Sequence, residues 1–289
     1  MKKVKALVLT GYGLNCDYET DYALKIAGAE SRRVHINELI TGETIGHQEF
    51  LKDYHILVFD GGFSWGDDHG AGVLLASRFK FNLGAQVEEF IAGGKLIIGI
   101  CNGFQALVNL GLLPGFDDNY KARDVALTFN DCGNFRDDWV YLKTLHSPCV
   151  FAKGIKTIEL PIRHGEGKFF APQEVIKRLF TDHHVVFQYA TPDNKPARGK
   201  FPYNPNGSLR DIAGICDPTG HVLGLMPHPE GYNHFTNHPD WTREKENLKR
   251  QGLPLPEEGL GIKIFRNGVR YVEKKLLHCN AKTSPQGNP

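Results

Sequence analysis

The first 110 residues set the tightest limit on what this chain can become. Short apolar runs at residues 4–9, 56–59 and 96–100, with a weaker one at 33–36, are too brief for helices and read as strands. Helix-spaced segments lie between them. Residues 17–27 place Tyr18, Tyr22, Ala23 and Ile26 three and four apart, on one helix face, and Gly28 supplies the stop. Residues 72–91 end on Gly93-Gly94, and 103–110 follow the last of these strands directly. Strands alternating with helices predict an α/β fold: an open, mostly parallel sheet with helices on both faces.

The remainder is less regular. Residues 114–210 are rich in turn formers, including Pro161, Pro172, Pro192 and Pro205, and predict added antiparallel strands. Residues 211–216 and 221–226 read as a β-hairpin closed by Asp217-Pro218-Thr219-Gly220. A polar helix is expected at 241–250 and a terminal helix at 269–277, with 281–289 as a disordered tail. No internal repeat or low-complexity linker is present. The expectation is one domain over residues 1–280, extended at its C-terminal end from about residue 240.

Composition narrows the function. Lys+Arg 34 against Asp+Glu 33 leaves a net charge of +1, without the basic footprint that a nucleic-acid backbone requires. The uncharged run of 21 residues from 96 to 116 is interrupted by Gly99, Gly103, Gly111, Pro114 and Asn102. A membrane span needs about 20 predominantly apolar residues, so a strand, a turn and a helix fit better. The apolar stretch after Lys2 and Lys3 is too short for a secretion signal. Six cysteines with no CxxC pair favour a reducing, cytoplasmic setting over disulfides or a zinc ribbon.

The most informative segment is Gly99-Ile100-Cys101-Asn102-Gly103, where an apolar strand meets a helical pattern. A sharp strand-to-helix turn lifts one side chain into the open, and glycines two residues to either side relieve the crowding. The helix N-terminus favours the thiolate, which is the nucleophile. The alternative is a buried core cysteine. Among 13 histidines, His228 is singled out by Pro227-His228-Pro229-Glu230. Pro229 pushes His228 toward extended geometry, where residues i and i+2 share a face, so Glu230 can orient the imidazole. Asp60-Gly61-Gly62-Phe63-Ser64 ends the third strand, and its amides can join that of Asn102 in an oxyanion hole. The pair His234 and His238 is a weak metal candidate, for want of a third ligand. His164-Gly-Glu166-Gly-Lys168 reads as a second acid–base pair or an ordered substrate loop. No Walker A or complete GxGxxG sequence is present, so no nucleotide or metal cofactor is expected in this chain.

The segment from Gly99 to Gln105, with Pro227-His-Pro-Glu230 downstream, resembles the signature of class I (triad-type) glutamine amidotransferases. Three further segments narrow the likeness: Gly61-Gly-Phe-Ser-Trp-Gly-Asp67, His164-Gly-Glu-Gly167 and Asn204-Pro-Asn-Gly-Ser208. They resemble the glutaminase subunits of phosphoribosylformylglycinamidine synthase, over about residues 4–240. The resemblance implies a flavodoxin-like sheet and a triad of Cys101, His228 and Glu230. It implies oxyanion or substrate contacts at Gly62, Phe63, Asn102 and Gln105. The implied partners are L-glutamine, a synthetase subunit that uses ATP and magnesium, and a small third subunit. Many relatives have Tyr where Trp65 stands, and Arg directly after His-Pro-Glu where Gly231 stands. Two other readings share these residues: a stand-alone cysteine amidohydrolase or peptidase on the same fold, and a binding protein derived from an amidotransferase. An intact Cys101, His228 and Glu230 set weighs against the latter.

Overall fold

The computed structural model describes residues 3–44, 47, 48 and 50–278; Cys279 and the expected disorder of 281–289 lie outside the described residues. β1 (Lys5–Thr10) leads to α1 (Asp17–Ala27), β2 (Glu30–His35), α2 (Ile36–Thr41) and the short pair β3 (Glu43–Thr44) and β4 (His47–Gln48). Next come β5 (Ile56–Phe59), α3 (Val73–Ala92), β6 (Leu96–Ile100) and α4 (Asn102–Leu110). The middle supplies β7 (Ala126–Phe129), β8 (Arg136–Thr144), β9 (Thr157–His164), β10 (Glu166–Phe170), α5 (Gln173–Thr181) and β11 (Val185–Ala190). The chain closes with β12 (Ile212–Cys216), β13 (Val222–Leu225), α6 (Trp241–Arg250) and α7 (Ile262–Val272).

Nine strands form one sheet in the order β2-β1-β5-β6-β13-β12-β11-β8-β9. The first five are parallel. The remaining four extend one edge antiparallel, beginning with the β12–β13 hairpin that the sequence predicts. β5 and β6 are buried along their whole length, as strands covered on both faces must be. The crossover from β1 to β2 runs one way along the sheet and that from β5 to β6 the other. Right-handed crossovers in opposite directions put α1 and α3 on opposite faces. In agreement, α1 packs against α7, and α3 against α4. The reversal of strand order lies between β1 and β5, and ligands bind beyond the carboxyl ends of strands at such a point.

One expectation needs correction at the C-terminus. The last α-helix starts at Ile262 rather than 269, and residues Glu273–Leu277 wind as a π-helix. Ile262, Phe265, Val269 and Val272 fall three and four apart and are buried, so this helix completes the core against α1. Gly261 and Gly268 mask its period in the sequence. Among the described residues no helix is long and apolar enough to cross a membrane; the uncharged 96–116 run is β6, α4 and the turn after it.

Candidate active site

Cys101 stands between β6 and α4 with φ 51° and ψ −107°, a left-handed conformation that a non-glycine residue adopts only under constraint. The constraint is visible on both sides. Cys101 N donates to Leu225 O of the adjacent strand at 2.9 Å, and Gln105 N donates to Cys101 O at 3.0 Å to start the helix. The flanking glycines are sterically required. A Cβ on Gly103 would lie 1.9 Å from Phe59 O, and one on Gly99 would lie 2.7 Å from Gly103 O. The thiol is nearly buried and points to Arg163 O at 3.6 Å.

His228 follows β13 and arrives at the same strand ends. Its backbone N donates to Pro161 O of β9 at 2.8 Å. Its Nδ1 is 2.5 Å from Glu230 Oε1, and both side chains are buried. Nε2 is buried too and has no hydrogen-bond partner. Burial opposes a charge on this ring. The Glu230 carboxylate and then Cys101 outweigh it, holding His228 well above the ordinary imidazole value. The ring beside Cys101 therefore favours its charged form, the form able to give a proton to a leaving group.

The loop after β5 closes the other side. Asn15 N and Cys16 N donate to Gly61 O, and Phe63 N donates to Gly13 O at 2.8 Å. The Phe63 amide is therefore already engaged, and Phe63 faces the site through its ring. Among the described residues the Gly62 and Asn102 amides make no backbone hydrogen bond, and Asn102 N is the first unpaired donor of α4. Ser64 N donates to Asn102 Oδ1 at 3.4 Å, joining this loop to α4. Trp65 packs its ring on Tyr12, with centroids 5.1 Å apart. At Gly231 a Cβ would sit 2.9 Å from Pro161 Cγ, so the packing of this turn against β9 fits a glycine.

Gln105 does not stand free for a ligand. Its Nε2 donates to Glu166 O at 2.5 Å, and its Oε1 accepts from Asn102 Nδ2 at 3.3 Å. It thereby pins the His164–Gly167 loop to α4. The same loop is held from beneath: Asn206 Nδ2 donates to Gly167 O at 2.8 Å, and Ser208 Oγ accepts from Phe169 N at 2.9 Å. Asn130 completes the frame, donating to His164 O at 2.8 Å while its Oδ1 sits 3.1 Å from His164 Nδ1. Burial and the nearby His228 push His164 down to about 3, so this ring stays neutral. It is a fixed neutral imidazole rather than a second acid–base pair.

Several site residues carried no signal in the sequence. Cys16 Sγ lies 3.9 Å from His228 Nδ1. Burial, and then Glu230 and Asp60, push its thiol up to about 11 against the opposing contact with His228. Cys16 is therefore a protonated neighbour of the imidazole and no rival nucleophile. Asp60 is wholly buried and neither carboxylate oxygen has a hydrogen-bond partner. Burial first, and then Asp17 and Glu230, raise it well above the usual carboxylate range. A cavity of about 280 Å³ opens beside this cluster, lined by Arg163, Glu19, Asp137, Gly62, Phe63 and Phe135 among others. Cys16, His228 and Glu230 are the one group of potential metal ligands that converges among the described residues. His228 Nδ1 and Glu230 Oε1 already bond to each other there, and Cys16 holds its proton. His234 and His238 do not share a site: His234 caps a short turn, and His238 Nε2 faces Glu159 at 3.2 Å.

Fold and site together define a thiol enzyme of the triad type, with its cysteine on a strand-to-helix elbow. The CobB/CobQ-like glutamine amidotransferase domain matches residues 3–272, and the chain belongs to that family. It is 45% identical over 272 residues to the phosphoribosylformylglycinamidine synthase subunit PurQ of Methanococcus maripaludis, covering 93% of this chain and 98% of that one. The PurQ subunit of Dehalococcoides mccartyi is 44% identical over 276 residues, covering 95% of this chain and 100% of its own. Among solved structures the chain is similar to one in PurLQS from Thermotoga maritima, with TM-score 0.67 and 28% identity over 94% of this chain and 100% of that one.

Proposed function

We propose that this chain is the glutaminase subunit of a phosphoribosylformylglycinamidine synthase, hydrolysing glutamine at Cys101 and handing ammonia to a synthetase subunit. The observation that carries the chemistry is the Cys101 elbow set beside a buried His228–Glu230 pair. The relatives' names, over nearly the whole length of each chain, support the pathway assignment to purine biosynthesis.

The Cys101 thiolate attacks the side-chain amide carbon of glutamine, and the carbonyl π electrons move onto oxygen. The Gly62 and Asn102 amides hold that oxyanion. His228, charged and oriented by Glu230, gives its proton to the amide nitrogen, the C–N bond breaks, and ammonia leaves. The product is a γ-glutamyl thioester. Water then adds to it, His228 takes the water's proton, and the C–S bond breaks to release glutamate. The 280 Å³ cavity suits one amino acid: Arg163 answers the α-carboxylate, and Glu19 and Asp137 answer the α-ammonium. ATP and magnesium belong to the synthetase partner, and a small third subunit is the other expected member of the complex. The described cysteines are all free, which agrees with a cytoplasmic setting. The continuous sheet supports one amidotransferase domain that includes the α7 extension.

Intact-mass analysis after treatment with an electrophilic glutamine analogue tests this reading. One adduct at Cys101 is expected, blocked by excess glutamine and absent from Cys101→Ala. The variant should lose at least about a thousandfold in ammonia release. Release at the normal rate by Cys101→Ala would overturn the assignment.

A further inference from the structure

A larger cavity, of about 1170 Å³, lies far from Cys101. The strand register fixes its position. Val222 pairs with Ile97 at the amino end of the parallel strands, whereas Leu225 pairs with Ile100 next to Cys101. His221, Thr144 and the 145–156 loop line the cavity at the former end.

Its charge is one-sided. The 143–156 segment contributes Lys143, Lys153 and Lys156, and α7 with the turns after it contributes Lys263, Arg270, Lys274 and Lys275. Among the described residues no acidic side chain lines it, although the chain as a whole is balanced to +1. Asp217, beneath Thr219, is already taken up by the Tyr120 hydroxyl, the Thr219 hydroxyl and the Val222 amide. The walls are tied together before any ligand arrives. Lys263 Nζ donates to Gly154 O at 2.7 Å, and Asn267 Nδ2 donates to Phe151 O and Lys153 O at 2.8 Å each. One side also offers two aromatic rings, where the Tyr271 hydroxyl meets His221 Nε2 at 2.7 Å.

We propose that this cavity binds a small molecule carrying two or more linked phosphates. Seven cations exceed what one phosphate can neutralise, and ammonium groups on flexible stems suit phosphate oxygens as point charges. A protein surface is disfavoured because lysine is depleted from interface cores. Nucleic acid is disfavoured because the charge is confined to a concavity in a near-neutral chain. The inference does not rest on the reaction at Cys101.

Calorimetric titration of the full chain with ATP, and separately with inorganic tripolyphosphate, tests it. One ligand per chain is expected, weakened about tenfold or more in Lys156→Ser/Arg270→Ser and retained in Lys156→Arg/Arg270→Lys. Equal binding of both ligands would show that the phosphate run alone is recognised. Binding of ATP only would show that the Tyr271–His221 surface reads the base; both results support the proposal. Labelling of Cys101 by the electrophilic glutamine analogue reports the fold of each variant and should be unchanged. No saturable binding, or equal affinity in the neutral variant, would overturn it. So would a neutral variant that binds phosphate normally but no longer associates with the synthetase, since an acidic protein surface would then be the occupant.

Discussion

At the residue scale, Glu230 matters through what it does to the imidazole. Replacing it with Gln removes the strongest group that raises His228, so the imidazolium loses its proton at lower pH. Less of the ring is then in its charged form at a given pH. The His228 titration, followed by NMR against pH, should move to lower pH in Glu230→Gln; superimposable curves would refute the coupling. His164 has the opposite character. Its folded value near 3 lies below the ordinary 6.5, so its stability contribution is complete above 6.5 and is lost as pH falls toward 3. The expected slope is about 1.4 kcal/mol per pH unit in that window. Urea unfolding of His164→Gln at several pH values should lack that component, and an unchanged slope would count against a neutral buried ring. Cys101, His228 and Glu230 were legible in the sequence because proline and glycine neighbours betray their backbone geometry. Cys16 and Arg163 were not. Each joins the site only through folding, from 212 residues away in sequence in the case of Cys16 and His228.

At the element scale, the signature segments act by holding one another. The Asn204–Ser208 turn supports the His164–Gly167 loop, and Gln105 fastens that loop to the helix bearing the Cys101 elbow. Asn206→Ala strips a buried bond to Gly167 O and should cost about 1–3 kcal/mol in thermal or denaturant unfolding. The elbow is less forgiving. Gly103→Ala forces a methyl onto Phe59 O, and a loss of about 2 kcal/mol or more is expected, with a slower Cys101 adduct. A variant as stable and reactive as the parent would mean that β5 and α4 can separate. The parallel strands, the β12–β13 hairpin and the helices α1, α3, α4 and α6 were readable from sequence pattern, and the α6 limits match residue for residue, whereas α2, α5 and β7 to β11 were not placed individually. The start of α7 escaped because glycines interrupt a pattern whose partner, α1, is far away in sequence.

Across the whole molecule, the sheet divides its labour. The parallel half delivers Cys101 and the Gly62 loop, and the antiparallel half delivers Pro161, Arg163 and His164 from β9 and its turn. α7 clamps the back of this assembly, so Phe265→Ala should cost about 3–5 kcal/mol in unfolding free energy although it lies on none of the site elements. The site also leaves a mark on how the chain trades with its surroundings. Asp60 is raised well above the usual carboxylate range, whereas an unfolded Asp is ionised at neutral pH. Between the ordinary carboxylate value and the raised folded one, folding therefore draws a proton out of the solvent and locks it next to the triad. Within that range the refolding heat should vary with the ionisation enthalpy of the buffer, and in Asp60→Asn that dependence should shrink. Across that range the protein is a small proton sink each time it folds, and rising pH works against it for a reason separate from catalysis.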